Sequence, residues 1–218
     1  MEPGRAEAAP LAVLQRVRRP APRPRPGERC DLCSVAIPDE HRHVVELDSR
    51  SLKCACQACA LLFTAGGAAG GRFRSVPKDV YSLPDLTITS AQWDGLQIPV
   101  GVAFFFTNSD TGAMSAFYPS PAGATESLLP LGAFDELADE HPALDEVRSD
   151  VEAILVRLEG GMSECFIVPI DVCYELVGLL RQSWRGFDGG QEAHERLDEL
   201  FGRLARTARP IASGGHRG

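Results

Sequence analysis

Cys30-Asp-Leu-Cys33, and after it Cys54-Ala-Cys56-Gln-Ala-Cys59, set the reading of the first half of the chain. Two C-x-x-C pairs supply four thiolates that can converge on one tetrahedral metal ion, the ligand set of a closed structural zinc site. Between the pairs, residues 43–47 alternate as a strand, Asp48-Ser49-Arg50-Ser51 reads as a turn, and residues 52–56 return as a second strand. The run from Cys56 to Phe63 is rich in helix formers and places Cys56 and Cys59 in a first helical turn, where the dipole favours thiolate. Cys54, two residues before Cys56 on an extended strand, faces the same side and is an alternative ligand. Cys56 is preferred because it stands at knuckle spacing from Cys59. His41 and His43, flanking Arg42, are further candidates as ligands or as hydrogen-bond partners of a ligand; an ordinary structural role is the plainer reading of both.

A knuckle, a hairpin and a short helix gathered on one ion make a treble-clef or zinc-ribbon-like module, which we place at residues 28–65. Ala65-Gly-Gly-Ala-Ala-Gly-Gly71 follows as a linker. Upstream, residues 1–27 form an Arg/Pro-rich arm expected to be disordered, with polyproline-like backbone at A-P-R-P-R-P-G.

From residue 72 to 208 the signals are those of an α+β domain of hairpins and C-terminal helices. Strands are expected at 73–76, 86–89 and 100–106, the last returning through Thr-Asn-Ser-Asp-Thr-Gly112 as 113–118. A helix is expected near 131–140, ended by His141-Pro142. A second hairpin pairs 151–158 with 165–169 across Glu159-Gly-Gly161. Asp171 is a candidate cap for the next helix, and Leu197, Leu200, Phe201 and Leu204 give the last one an apolar side. Residues 209–218 read as a disordered tail.

The chain carries a net charge of −8. Seven arginines against three glutamates in residues 1–29 leave 15 basic and 27 acidic residues on the rest, so a basic arm precedes an acidic body. An acidic body is a poor nucleic-acid platform. No apolar stretch is long enough to span a bilayer, and prolines follow Arg18-Arg19 where an export signal would carry its apolar segment. The expected compartment is the cytoplasm, since seven cysteines, an odd number with five at metal-like spacing, suit a reducing compartment better than a disulfide framework.

The stretches C-D-L-C with E-H-R-H, C-A-C-Q-A-C-A-L-L-F, I-P-V-G-V-A-F-F-F, F-Y-P-S-P-A-G-A-T-E-S-L and V-P-I-D-V-C-Y-E-L-V-G-L-L cover most of residues 30–205. On them the chain resembles an uncharacterised family of bacterial proteins encoded beside high-affinity nickel-iron hydrogenases. The resemblance implies a place in hydrogen oxidation, as an assembly factor or an associated subunit with a hydrogenase protein as partner. It implies no catalytic residue.

Zinc is the first choice for the four cysteines Cys30, Cys33, Cys56 and Cys59. The alternatives are a rubredoxin-like iron centre and an iron-sulfur cluster, either of which would make the chain an electron-transfer protein or subunit. Rubredoxin-like knuckles usually carry glycine after each pair, and here Ser34 and Ala60 stand there. Cys165 and Cys173 read as core thiols. Partner-binding candidates are Ser120, Thr125 and Glu126 in the loop 118–127, and Asp139 and Glu140 in an acid-rich run from 135 to 152; the plainer readings are a helix start capped by Thr125 or Ser127 and a solvated acidic face. No nucleophile triad, Walker loop or dinucleotide fingerprint is visible. The sequence is therefore expected to encode a non-catalytic, zinc-binding accessory protein. An enzyme built around Glu126 ranks third.

Overall fold

The computed structural model describes residues 29–64, 68–120, 123–127, 142–185 and 189–212. The fold is mixed α+β. Three strands, β1 (Arg42–Glu46), β2 (Ser51–Ala55) and β3 (Phe73–Ser75), form a small antiparallel sheet in the order β2-β1-β3. The helix α1 (Gln57–Leu62) follows β2 directly. β3, which the sequence reading assigns to the larger domain, returns beyond the glycine run to pair with β1, Glu46 facing Phe73 and Val44 facing Ser75.

The larger sheet has seven strands: β4 (Tyr81–Ser82), β5 (Val102–Thr107), β6 (Met114–Ser120), β7 (Gly123–Ser127), β8 (Glu152–Glu159), β9 (Met162–Pro169) and β10 (Arg209–Pro210). Their spatial order is β10-β4-β9-β8-β5-β6-β7, antiparallel except for the parallel pair β10–β4. Aromatic and β-branched residues dominate the central strands, which are apolar on both faces because both are covered. Phe105, Ile154, Val156 and Ile167 point to one face, packed with Trp93 and Leu96 around the helix α2 (Ser90–Gly95). Phe104, Leu155, Phe166 and Val168 point to the other, beneath α3 (Ile170–Ser183) and α4 (Gly190–Thr207). Val45 of β1 and Val76 join this second core, so the small sheet rests on the helical side of the large one. The β8–β9 turn needs Gly160 and Gly161, with φ of 57° and 81°, because a tight hairpin turn of matching twist takes positive φ at both central positions.

The expected strand at 86–89 joins no sheet: Ile88 is buried, its amide donates to the Ser163 hydroxyl, and Thr89 caps α2 in a reciprocal box with Gln92. The expected helix start at 118–127 is instead the hairpin β6–β7, with Pro119 opposite Ala124 and Tyr118 opposite Thr125. The expected tail begins too early, since β10 pairs with β4 and Ile211 is buried. Asp171 lies inside the first turn of α3 rather than at its cap. The arm at 1–27 and the helix expected at 131–140, with Asp139 and Glu140, lie outside the described residues.

Candidate metal centre

Cys30 and Cys33 sit on a tight turn closed by the Cys30 amide to the Val35 carbonyl (2.8 Å) and the Ser34 amide to the Cys30 carbonyl (2.7 Å). Ser34 takes φ of 62° to make this turn. It therefore adopts the left-handed conformation that glycine would supply, and its identity does not separate zinc from iron. The knuckle is fastened to β2 from both sides. The Asp31 amide donates to the Cys54 carbonyl at 2.9 Å, and the Cys54 amide donates to Asp31 Oδ2 at 2.7 Å. Cys56 is the N-cap of α1, its sulfur accepting from the Cys59 amide at 3.4 Å.

These contacts bring the sulfurs of Cys30, Cys33, Cys56 and Cys59 within 4.8 Å of one another. Cys33 Sγ and Cys56 Sγ are 3.7 Å apart. A tetrahedral ion with metal–sulfur bonds of about 2.3 Å sets its sulfurs roughly 3.8 Å apart, so the spacing suits a four-thiolate site. The electrostatics agree. Burial raises the Cys59 thiol, and the sulfurs of Cys33, Cys56 and Cys30 push it further, to about 12. Burial also raises Cys30, but backbone groups of Cys56, Leu32 and Cys33 outweigh it and bring that thiol to about 6. One thiolate forms easily while a neighbour keeps its proton, and full ionisation of the set calls for a cation.

Cys54 is not in this group. It lies with His41 and His43, whose ligand atoms approach one another within 4.8 Å. The other candidates scatter. Thr125 Oγ1 donates to Ser120 Oγ at 2.9 Å inside the β6–β7 hairpin, whereas Glu126 is exposed. The acid-rich run is not a uniformly solvated face: Asp150 pairs with Arg74 at 2.8 Å, and the fully buried Glu152 pairs with Arg148 at 2.8 Å. Cys165 and Cys173 are buried, and desolvation pushes the Cys165 thiol to about 12 and Cys173 higher still.

One feature escapes sequence reasoning. A cleft of about 540 Å³ opens between β1, the β5–β7 face and α3, lined by Val45, Phe104, Phe106, Phe117, Glu126 and Arg181. Phe106 and Phe117 stack at 5.2 Å and Phe104 and Phe117 at 5.6 Å. The i, i+2 pair Phe104 and Phe106 carries the only sequence signal, and it reads equally as core. No described helix is long and apolar enough to cross a membrane.

Residues 29–208 match a family of unknown function (DUF5947), and the chain belongs to that family. No curated protein and no solved structure matches it.

Proposed function

We propose that this family member is a non-catalytic accessory protein in which Cys30, Cys33, Cys56 and Cys59 hold one structural zinc ion, in a treble-clef-like module, and that it recognises a protein partner in the cytoplasm. The observation that carries the reading is the sulfur spacing: four thiolates fill a tetrahedron, which leaves no coordination position for a substrate. Partner recognition is supported by apolar side chains that the core does not take up. Leu61 and Leu62 of α1 are 56% and 65% exposed beside Cys59. Glu126, at the edge of the aromatic cleft, is the polar contact proposed for the body, with Ser120 and Thr125 behind it. The partner is proposed to be a subunit or assembly factor of a nickel-iron hydrogenase, on the resemblance alone.

Metal analysis by mass spectrometry, with a visible spectrum of anaerobically purified protein, tests the centre. One zinc at the four-cysteine site and no colour support the reading. A second reading, electron transfer through iron at the same sulfurs, has one observation in its favour: Cys33 is exposed, as a conduit to a redox partner would be. Thiolate-to-iron charge-transfer bands would establish it and displace the first. For recognition, a pull-down with Leu61→Ser/Leu62→Ser should lose partners that the wild-type chain retains.

A further inference from the structure

A second cluster stands outside the four-cysteine centre. β1 and β2 pair in a register that sets His43 directly opposite Cys54, and His41 precedes His43 by two residues. Cross-strand and i, i+2 positions share a face, so both imidazoles and the thiol come together on one side of the hairpin. One ring nitrogen of each histidine and Cys54 Sγ lie within 4.8 Å of one another.

Nδ1 of each ring is already committed to another partner. His41 Nδ1 faces the carbonyl oxygens of Pro38 and Asp39 at 2.9 and 3.0 Å. Carbonyls only accept, so Nδ1 carries the proton and the lone pair resides on Nε2. That Nε2 is buried and has no hydrogen-bond partner. A buried acceptor without a donor is unfavourable, and a cation at that point would satisfy it. His43 Nδ1 meets Asp171 Oδ2 at 2.8 Å, the carboxylate–imidazole arrangement that orients a metal-ligating histidine and leaves its Nε2 free to bind. Asp171 comes from α3, 128 residues away in sequence.

We propose that His41, His43 and Cys54 form a second metal site, for a divalent late first-row transition ion of the zinc class. Two imidazoles and a thiolate suit such ions and suit calcium or magnesium poorly, since those take oxygen ligands. Binding converts the Cys54 thiol to thiolate and releases its proton to solvent. Three protein ligands leave a tetrahedral ion one position for an exogenous ligand, as four cysteines do not. Through His43 and Asp171 the site also joins the cysteine region to the helical side of the large sheet.

The test counts ions on the full chain equilibrated with micromolar zinc, by native mass spectrometry, with circular dichroism to check folding. Two zinc ions per wild-type chain are expected, and one for Cys54→Ser and for His41→Gln. Asp171→Asn, which removes an orienting group and no ligand, should weaken the second ion about ten-fold and leave the first untouched. Cobalt replacing the second zinc should give visible d–d bands that Cys54→Ser abolishes. A wild-type chain with one ion that Cys54→Ser retains, or two ions in both Cys54→Ser and His41→Gln, overturns the proposal. Failure of the four-cysteine reading looks different: Cys33→Ser would leave the count unchanged while Cys54→Ser still removed an ion.

Discussion

The seven-stranded sheet buries apolar side chains on both faces, from Phe105 and Ile154 on one to Leu155, Phe166 and Phe201 on the other. The cysteine region has a smaller core of its own, in which Cys30, Ile37, Val44, Ala55 and Ala60 are buried and Leu32, Phe63 and Phe73 pack against them half-buried. The large core can stand on the hydrophobic effect, whereas a core as small as the second gains from a crosslink or an ion. With the proposed ion in place, the same chain joins a unit whose stability is spread over a large core to one that leans on a few sulfur atoms.

The most severe way to break this contrast is to deny the four cysteines the proposed ion. Cys56→Ser, or a strong chelator, should cost the cysteine region on the order of 10 kcal/mol of folding free energy. Hydrogen exchange should then show β1 and β2 losing protection while β8 and β9 keep theirs; uniform loss would mean that the two regions fold as one unit. Next comes the body. Phe201 is fully buried, and Phe201→Ala should cost about 3–5 kcal/mol, read as a lower denaturant midpoint at unchanged metal content.

Gly101 sharpens the comparison at smaller scale. A Cβ there would lie 2.7 Å from the Leu158 carbonyl oxygen, a backbone atom held in the sheet. Gly101→Ala should therefore cost about 1–3 kcal/mol, and a neutral result would show that β5 and β8 can part without consequence. The smallest effect is expected at Glu46. The Ser49 hydroxyl at 2.7 Å, the Arg72 guanidinium and Lys53 at 3.3 Å hold its carboxyl down at about 2, against the opposing effect of burial. Its folded value lies below the ordinary 4.5. Its contribution is thus complete above that pH and is lost as pH falls through about 2. Glu46→Gln should lower the denaturant midpoint at pH 7, and the difference from wild type should shrink as pH falls and vanish below about 2. A difference that persisted in acid would assign the effect to packing.

Local patterns were legible and distant pairings were not. The C-x-x-C spacings pointed to the four sulfurs that converge, and the turns at Asp48–Ser51 and Gly160-Gly161 marked the hairpins that form. The Thr89-Ser-Ala-Gln92 box was also present in the sequence, but the alternation of Leu86 and Ile88 with Thr87 and Thr89 reads as a strand. Gly123, with φ of 123°, lets the chain double back so that Ala124–Ser127 pair with β6; without that pairing, the hydroxyls of Thr125 and Ser127 look like helix caps. The pairing of β3 with β1, the parallel pair β10–β4 and the reach of Asp171 to His43 depend on separations that no local period records. For the same reason the sequence presented His41, His43 and Cys54 as spare ligands for one centre. Only the register of β1 on β2 makes them a group.

β10 pairs with β4 across roughly 130 residues of sequence, and a ribosome adds about 5–20 residues per second. During synthesis β4 therefore waits on the order of ten seconds for the strand that covers its outer edge. An uncovered edge invites pairing with another chain. Only two residues of β4 are in ladder register, and its neighbour Asp79 carries charge beside Arg209. A short, charge-flanked edge offers a poor template to a neighbouring nascent chain, and so tolerates the wait.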